Sequence, residues 1–208
     1  MLEGASGKKF FLIGNHLCLD FVNTQIVRDG QPEDLLSGVD DLVSWLVEVE
    51  VLDEAKAQMA RKKWGSRREA EKIFESALEL RAILRRMVEQ LAKGQPSPQS
   101  AIAAINGLLY QQAGYAELRR VKGRYEKRLH LSLNKPVHLL IPVAESACDL
   151  LCYGNLSLIK KCENSACILF FYDTTKNHSR RWCSMEACGN RMKVAAHYRR
   201  LRKRTPPE

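Results

Sequence analysis

A chain of 208 residues, 45% apolar and 27% charged, is long enough for one main core and a small satellite, and this composition excludes a disordered or fibrous protein. The longest apolar stretch, Val137 to Val143, is interrupted by His138 and Pro142 and falls far short of the roughly 20 residues a membrane span needs. The net charge of +9 is uneven: from Leu151 onward 12 Lys and Arg face 4 acidic residues, so +8 of the excess sits in the last quarter.

In chain order, FFLIG at 10–14 predicts a short buried strand; beyond it Leu17, Cys18, Phe21 and Val22 fit a helical face while Leu17, Leu19 and Phe21 fit strand alternation, and strand, turn, helix is the expected order. A polar loop with Gly30, Pro32 and Gly38 precedes an amphipathic helix over Val39 to Val49, built on Leu42, Val43, Leu46 and Val49. Asp53 is placed to cap a second helix reaching Trp64, and Ser66 to cap a third. That third helix carries Ile73, Ala77, Leu80, Leu84, Met87 and Leu91 at helical spacing and stops at Gly94. Its mixed-sign charges, including Arg81, Arg85 and Arg86, are expected to face solvent. Ser97 and Pro98 start a helix running to about Gln112. Alternation over Arg128 to Leu133 and Val137 to Ile141, around Asn134 to Pro136, predicts a β-hairpin, and a helix from Val143 to about Tyr153 ends the first part. Cys18, Cys148 and Cys152 lie in apolar surroundings and are expected to be buried, inert thiols.

The other four cysteines form C-x4-C, fifteen residues, C-x4-C: Cys162, Cys167, Cys183 and Cys188. Two close thiol pairs joined by a loop of this size suit the four corners of a tetrahedral Zn²⁺, with no open position, so one structural zinc ion is expected. A redox pair or iron–sulfur ligation is the other use of such thiols. About fifty residues bury too little apolar surface to fold without a staple, which zinc would supply. With four thiolates and Zn²⁺ together adding about −2, the segment keeps roughly +6. Ile168 to Tyr172 and Ser179 to Cys183 read as a hairpin around DTTKN, and Glu186 to Arg204 as a helix whose first turn donates the last ligand, a treble-clef arrangement in which Gly189 permits close approach to a thiolate. The expected fold class is α+β: a mainly helical domain with a small antiparallel sheet over 1–157, then a treble-clef zinc finger over 158–208.

Cations in the finger suit phosphate binding: Lys176, His178, Arg180 and Arg181 on the hairpin, then Arg191, Lys193, Arg199, Arg200, Arg202, Lys203 and Arg204 on the helix. Arg191 follows the last ligand by three residues; it is placed either to reach a guanine edge or phosphate, or to clamp internally onto Asp173, Glu186 or a carbonyl. Asn190 reads as a helix-start residue. In the first part, Asn15, His16, Asp20, Asn23 and Thr24 lie close together and either bind a small ligand or cap local backbone.

The stretch from Cys162 through Cys188-Gly189-Asn190-Arg191 resembles the CGNR zinc-finger family, and LCLDFVNT, from Leu17 to Thr24, resembles the start of the ABATE domain that accompanies that finger. The resemblance implies a two-domain cytoplasmic protein, a treble-clef finger behind an α/β domain, and a role in transcription regulation. The N-terminal MLEGASGKKF lacks the pattern of a secretory signal, which agrees with a reducing cytoplasm and no membrane partner. The combined expectation is a zinc-dependent, DNA-binding transcription regulator acting on double-stranded DNA, with Asn15, Asp20, Asn23 and Thr24 as the candidate site for a small-molecule effector. The alternative is a zinc-stabilised module that docks an acidic protein or its own first domain. Catalysis is not expected: His178, Asn190 and His197 occur in the order of His-Asn-His nucleases, but no Asp or Glu stands beside His197.

Overall fold

The computed structural model of the protein describes residues 9–64, 67–111 and 114–204, apart from the side chains at 67, 128, 129, 131 and 199–204. Seven α-helices dominate these residues: α1 (Leu17–Val22), α2 (Val39–Glu48), α3 (Glu54–Trp64), α4 (Arg67–Leu91), α5 (Gln99–Leu109), α6 (Ile141–Tyr153) and α7 (Asn190–Arg204). Three antiparallel pairs complete them: β1 (Gln25–Arg28) with β2 (Gln31–Asp34), β3 (Gly114–Val121) with β4 (Arg124–Leu131), and β5 (Ile159–Lys161) with β6 (Phe170–Tyr172). No helix among the described residues is long and apolar enough to cross a membrane.

The short α1 is the centre of the core. Cys18, Leu19, Phe21 and Val22 are fully buried against α4 and α6, and Phe21 meets the Trp45 ring of α2 at 5.2 Å. Around it, α4 buries Ile73, Ala77, Leu80, Leu84, Met87 and Leu91 along one stripe, as its helical spacing predicts. Asp53 Oδ1 accepts the Lys56 N–H at 2.8 Å and so caps α3, while Gly94 adopts φ 71° just past α4. Ser66 lies outside the described residues.

Several expectations are corrected. Residues 10–14 form no strand; the chain there is irregular, and the Gly14 N–H is held by Asp20 Oδ1 at 2.7 Å. The helix expected from Ser97 begins at Gln99, and the Ser97 hydroxyl is buried without a partner among the described residues. The hairpin lies at β3–β4, with Lys122 and Gly123 as its turn, and not at 128–141. Pro136 instead opens a 3-10 turn over Pro136–Leu140 that runs straight into α6. Leu139, Leu140, Ile141, Val143 and Ala144 are all buried there, and a run that is apolar on every side reads equally well as strand or helix. Arg81 is 5% exposed rather than solvated: it grips both carboxylate oxygens of Asp34 and donates to Thr24 Oγ1 at 2.8 Å. Of the three thiols expected to be buried, Cys18 is, Cys148 is half-buried and Cys152 is exposed.

Candidate metal centre and nucleic-acid interface

The ligand atoms of Cys162, Cys167, Cys183 and Cys188 lie within 4.8 Å of one another, and all four residues are buried. A tetrahedral ion with Zn–S bonds of about 2.3 Å places its sulfurs roughly 3.8 Å apart; the Cys167 and Cys183 sulfurs stand 3.9 Å apart. Hydrogen bonding among thiols so crowded, with Cys167 foremost for Cys162 and Cys162 foremost for Cys183, drives Cys162 below and Cys183 above the ordinary thiol range. One soft divalent cation removes that competition by binding all four as thiolates. Two donors complete the fit: the Cys183 N–H points at Cys162 Sγ at 3.4 Å, and Asn164 Nδ2 at Cys188 Sγ at 3.2 Å. The donor set therefore suits one structural Zn²⁺ held by the four cysteines.

Cys162 and Cys167 enter the cluster on the loop between β5 and β6, and Cys183 and Cys188 on the segment leading to α7. The expected strand partner of Ile168 to Tyr172, Ser179 to Cys183, is not a strand; β5 pairs with β6 instead, with Lys160 opposite Phe171. What holds residues 173–180 is the buried carboxylate of Asp173. It accepts from Lys160 Nζ (2.7 Å), from the Thr175 N–H and hydroxyl (3.0 and 2.6 Å) and from the Arg180 N–H (2.9 Å). Burial alone would raise its pKa, but the Lys160 ammonium and these donors hold it below the usual carboxylate range. Gly189 makes a different approach from that expected. A side chain there would come 2.6 Å from Met185 Sδ, the flexible end of an exposed side chain, and its N–H donates to the Ser184 carbonyl, not to a thiolate.

The outer edge of β6 is sealed by the first part of the chain. Asn23, fully buried, donates from Nδ2 to the Phe170 carbonyl at 2.8 Å and accepts the Phe170 N–H at 3.0 Å. Two residues on, the Tyr172 N–H donates to the Gly14 carbonyl at 2.9 Å and Asn15 Nδ2 to the Tyr172 carbonyl at 2.8 Å. Arg85 of α4 donates to the Val22 carbonyl at 2.7 Å and the Ile168 carbonyl at 3.2 Å, so it also lies on this seam rather than on a solvated face. Thr24 Oγ1 donates to the Phe21 carbonyl at 2.8 Å, and Asp20 holds Gly14, its own carboxyl pushed up to about 6 by burial. The polar groups of Asn15 and Asn23 thus join the two parts, while those of Asp20 and Thr24 are engaged within the first part, with Gly14, Phe21 and Arg81.

The basic residues divide. Arg180 is half-buried, stacks on Phe171 at 4.1 Å and donates to the carbonyls of Trp182 (3.1 Å), Ile13 (3.2 Å) and Cys183. Arg181 pairs with Glu163 at 2.6 Å while remaining exposed. His178, at φ 47°, meets the Asp173 carbonyl through Nδ1 at 3.2 Å, and its own carbonyl accepts from Lys160. Lys176, Arg191 and Lys193 are exposed, and no hydrogen bond or ion pair holds Arg191 among the described residues. The side chains of Arg199 and Arg200 lie outside the described residues. Sequence reasoning missed Asn164, whose place inside the first C-x4-C loop was the available signal, and exposed Lys161 on β5.

A four-cysteine centre that anchors a basic helix, locked edge-on to a helical domain, defines a two-part zinc-finger protein. Residues 15–154 match ABATE, described as "Putative stress-induced transcription regulator", and residues 159–201 match the CGNR zinc finger. The chain belongs to the ABATE family and carries a CGNR zinc finger. No curated protein matches the sequence.

Proposed function

We propose that the protein is a DNA-binding transcription regulator in which zinc fixes α7 as the helix presented to duplex DNA. The observation that carries this reading is the state of α7. Its fifteen residues contain seven Lys and Arg and no acidic residue, and of Asn190 to Tyr198 only Met192 and Ala196 are even half-buried. A helix of this kind fits the major groove, where Arg191, held three residues beyond Cys188, is positioned for a guanine edge or a phosphate and Lys193 for phosphate.

Fluorescence anisotropy with labelled duplex DNA, single-stranded DNA and RNA at several salt concentrations tests the reading. Salt-steep duplex binding, lost on stripping zinc and weakened by Arg191→Ala at unchanged stability, supports it. No binding at low salt removes it and leaves the protein-docking reading, which exposed Val194 and Tyr198 on α7 favour. The reading contains no catalytic step; plasmid cleavage with added Mg²⁺ or Mn²⁺ that His178→Ala abolishes would replace it with a nuclease.

The reading includes an effector. A cleft of about 730 Å³ opens between the α2–α3 turn and α6, lined among others by His16, Glu50, Lys127, Glu145 and Asp149. His16 meets Tyr172 of β6 edge-on at 4.8 Å, so a ligand against His16 is one side chain away from the strand that carries the finger. A thermal-shift screen with metabolites tests this; no shift across a broad library counts against it.

A further inference from the structure

The β3–β4 ribbon is unlike the rest of the molecule. Eight residues per strand give it a length of about 27 Å. Its root is built for shape: Gly114 has φ 132°, where a side chain would meet the His130 carbonyl at 1.8 Å, and Tyr115 stacks on His130 at 4.8 Å. Lys127, midway along, lines the cleft beside His16 and Asp149. Beyond Lys127 the strands pair with each other and end in a two-residue turn with both residues left-handed, Lys122 at φ 49° and Gly123 at φ 81°.

That outer half is exposed and cationic. Arg119, Arg120, Val121, Lys122, Gly123 and Arg124 contain four cations and no acid. Arg119 approaches Glu117 at 4.0 Å, but Arg120, Lys122 and Arg124 pair with no carboxylate among the described residues. Leu118 and Tyr125 stand beside them, each 72% exposed. A projecting ribbon with uncovered apolar side chains is a docking element, and a tip of unpaired cations complements a polyanion.

We propose that this ribbon is a second nucleic-acid contact, its Arg120, Lys122 and Arg124 gripping the phosphates of the duplex that α7 reads. The proposal rests on the duplex-binding reading above. A two-stranded ribbon fits the major groove, and two separate contacts fix the register of the protein on its site as one helix cannot.

The test compares the full-length zinc-loaded wild type with the triple variant Arg120→Ala, Lys122→Ala, Arg124→Ala on the same labelled duplex over a salt series. Each lost phosphate contact should reduce the log–log salt slope by about 0.9, which is about eightfold in affinity at 0.1 M salt, so the variant's slope should fall by up to about 2.7. Unchanged zinc content and far-UV circular dichroism in the variant show that the fold persists. A variant with wild-type slope and affinity overturns the ribbon contact and leaves the α7 reading standing; a wild type that binds no duplex overturns both. A wild-type dimer that Leu118→Glu dissociates, with DNA affinity untouched by the triple substitution, would make the ribbon a self-association arm and also overturn the proposal.

Discussion

Replacing Asn23 by Ala removes one side chain and two hydrogen bonds, and it leaves both the N–H and the carbonyl of Phe170 without partners at a place water does not reach. A buried backbone group stranded in this way costs about 1–3 kcal/mol, so the pair should cost roughly 2–4 kcal/mol. With a urea dependence of about 2 kcal/mol/M, the unfolding midpoint of the zinc-loaded protein should fall by about 1–2 M. Urea titration followed by far-UV circular dichroism and by tryptophan fluorescence measures it, Trp182 reporting the finger and Trp45 and Trp64 the helical part. The companion variant is Asn15→Gly, which removes a bond of the same 2.8 Å length to the same strand but from an exposed residue, and which suits the φ of 62° found there. It should cost under about 1 kcal/mol, because water replaces the lost partner. Equal losses in the two variants, or a midpoint shift below about 0.3 M for Asn23→Ala, would refute the reasoning that burial of the seam sets its strength.

Other substitutions separate structure from recognition. Arg180→Ala should destabilise the protein by roughly 2–4 kcal/mol, since it uncaps three carbonyls and removes the stack on Phe171, so any loss of DNA binding should come with a lower melting temperature. Asp173→Asn should cost roughly 2–3 kcal/mol in urea denaturation, below the figure for a fully buried pair because Lys160 is about a third exposed. Asp20 has a folded pKa of about 6 against 3.8 in the free side chain, so the folded state holds the extra proton between these values and stability from this group rises as pH falls through 6. Asp20→Asn keeps an acceptor for Gly14 and should therefore gain on the wild type more at pH 7.5 than at pH 5.5, as paired urea midpoints would show. Chelation of zinc at pH 7.5 should expose four additional thiols to a chromogenic disulfide reagent, over and above the exposed Cys152; fewer than four would remove one of the proposed ligands.

The parts of this fold that were legible in the sequence are those whose signal is local. Helix α4 announces itself because Ile73 to Leu91 must share one stripe, and the metal ligands do so because each C-x4-C pair brings its own two sulfurs together. Residues whose partners are remote were misread. Arg81 and Arg85 look like solvated charges until Asp34, Val22 and Ile168, 47 to 83 positions away in sequence, are brought beneath them. The β3–β4 ribbon escaped because it faces no core, so its alternation carries no contrast between buried and exposed positions. The strand partner of β6 was misplaced for a related reason: residues 179–183 follow it closely, but the Asp173 carboxylate takes the Arg180 N–H and turns that segment away, leaving the edge to β5.

The sealed margin of β6 also bears on how this molecule divides. A finger produced from about residue 158 onward would carry its zinc ligands intact, yet Phe170 and Tyr172 would present bare amide and carbonyl groups along a short strand flanked by apolar rings. Such an edge recruits whatever strand it meets, including its own copies. The truncated finger should therefore precipitate or self-pair where the whole chain does not, and the helical part acts as the finger's permanent chaperone.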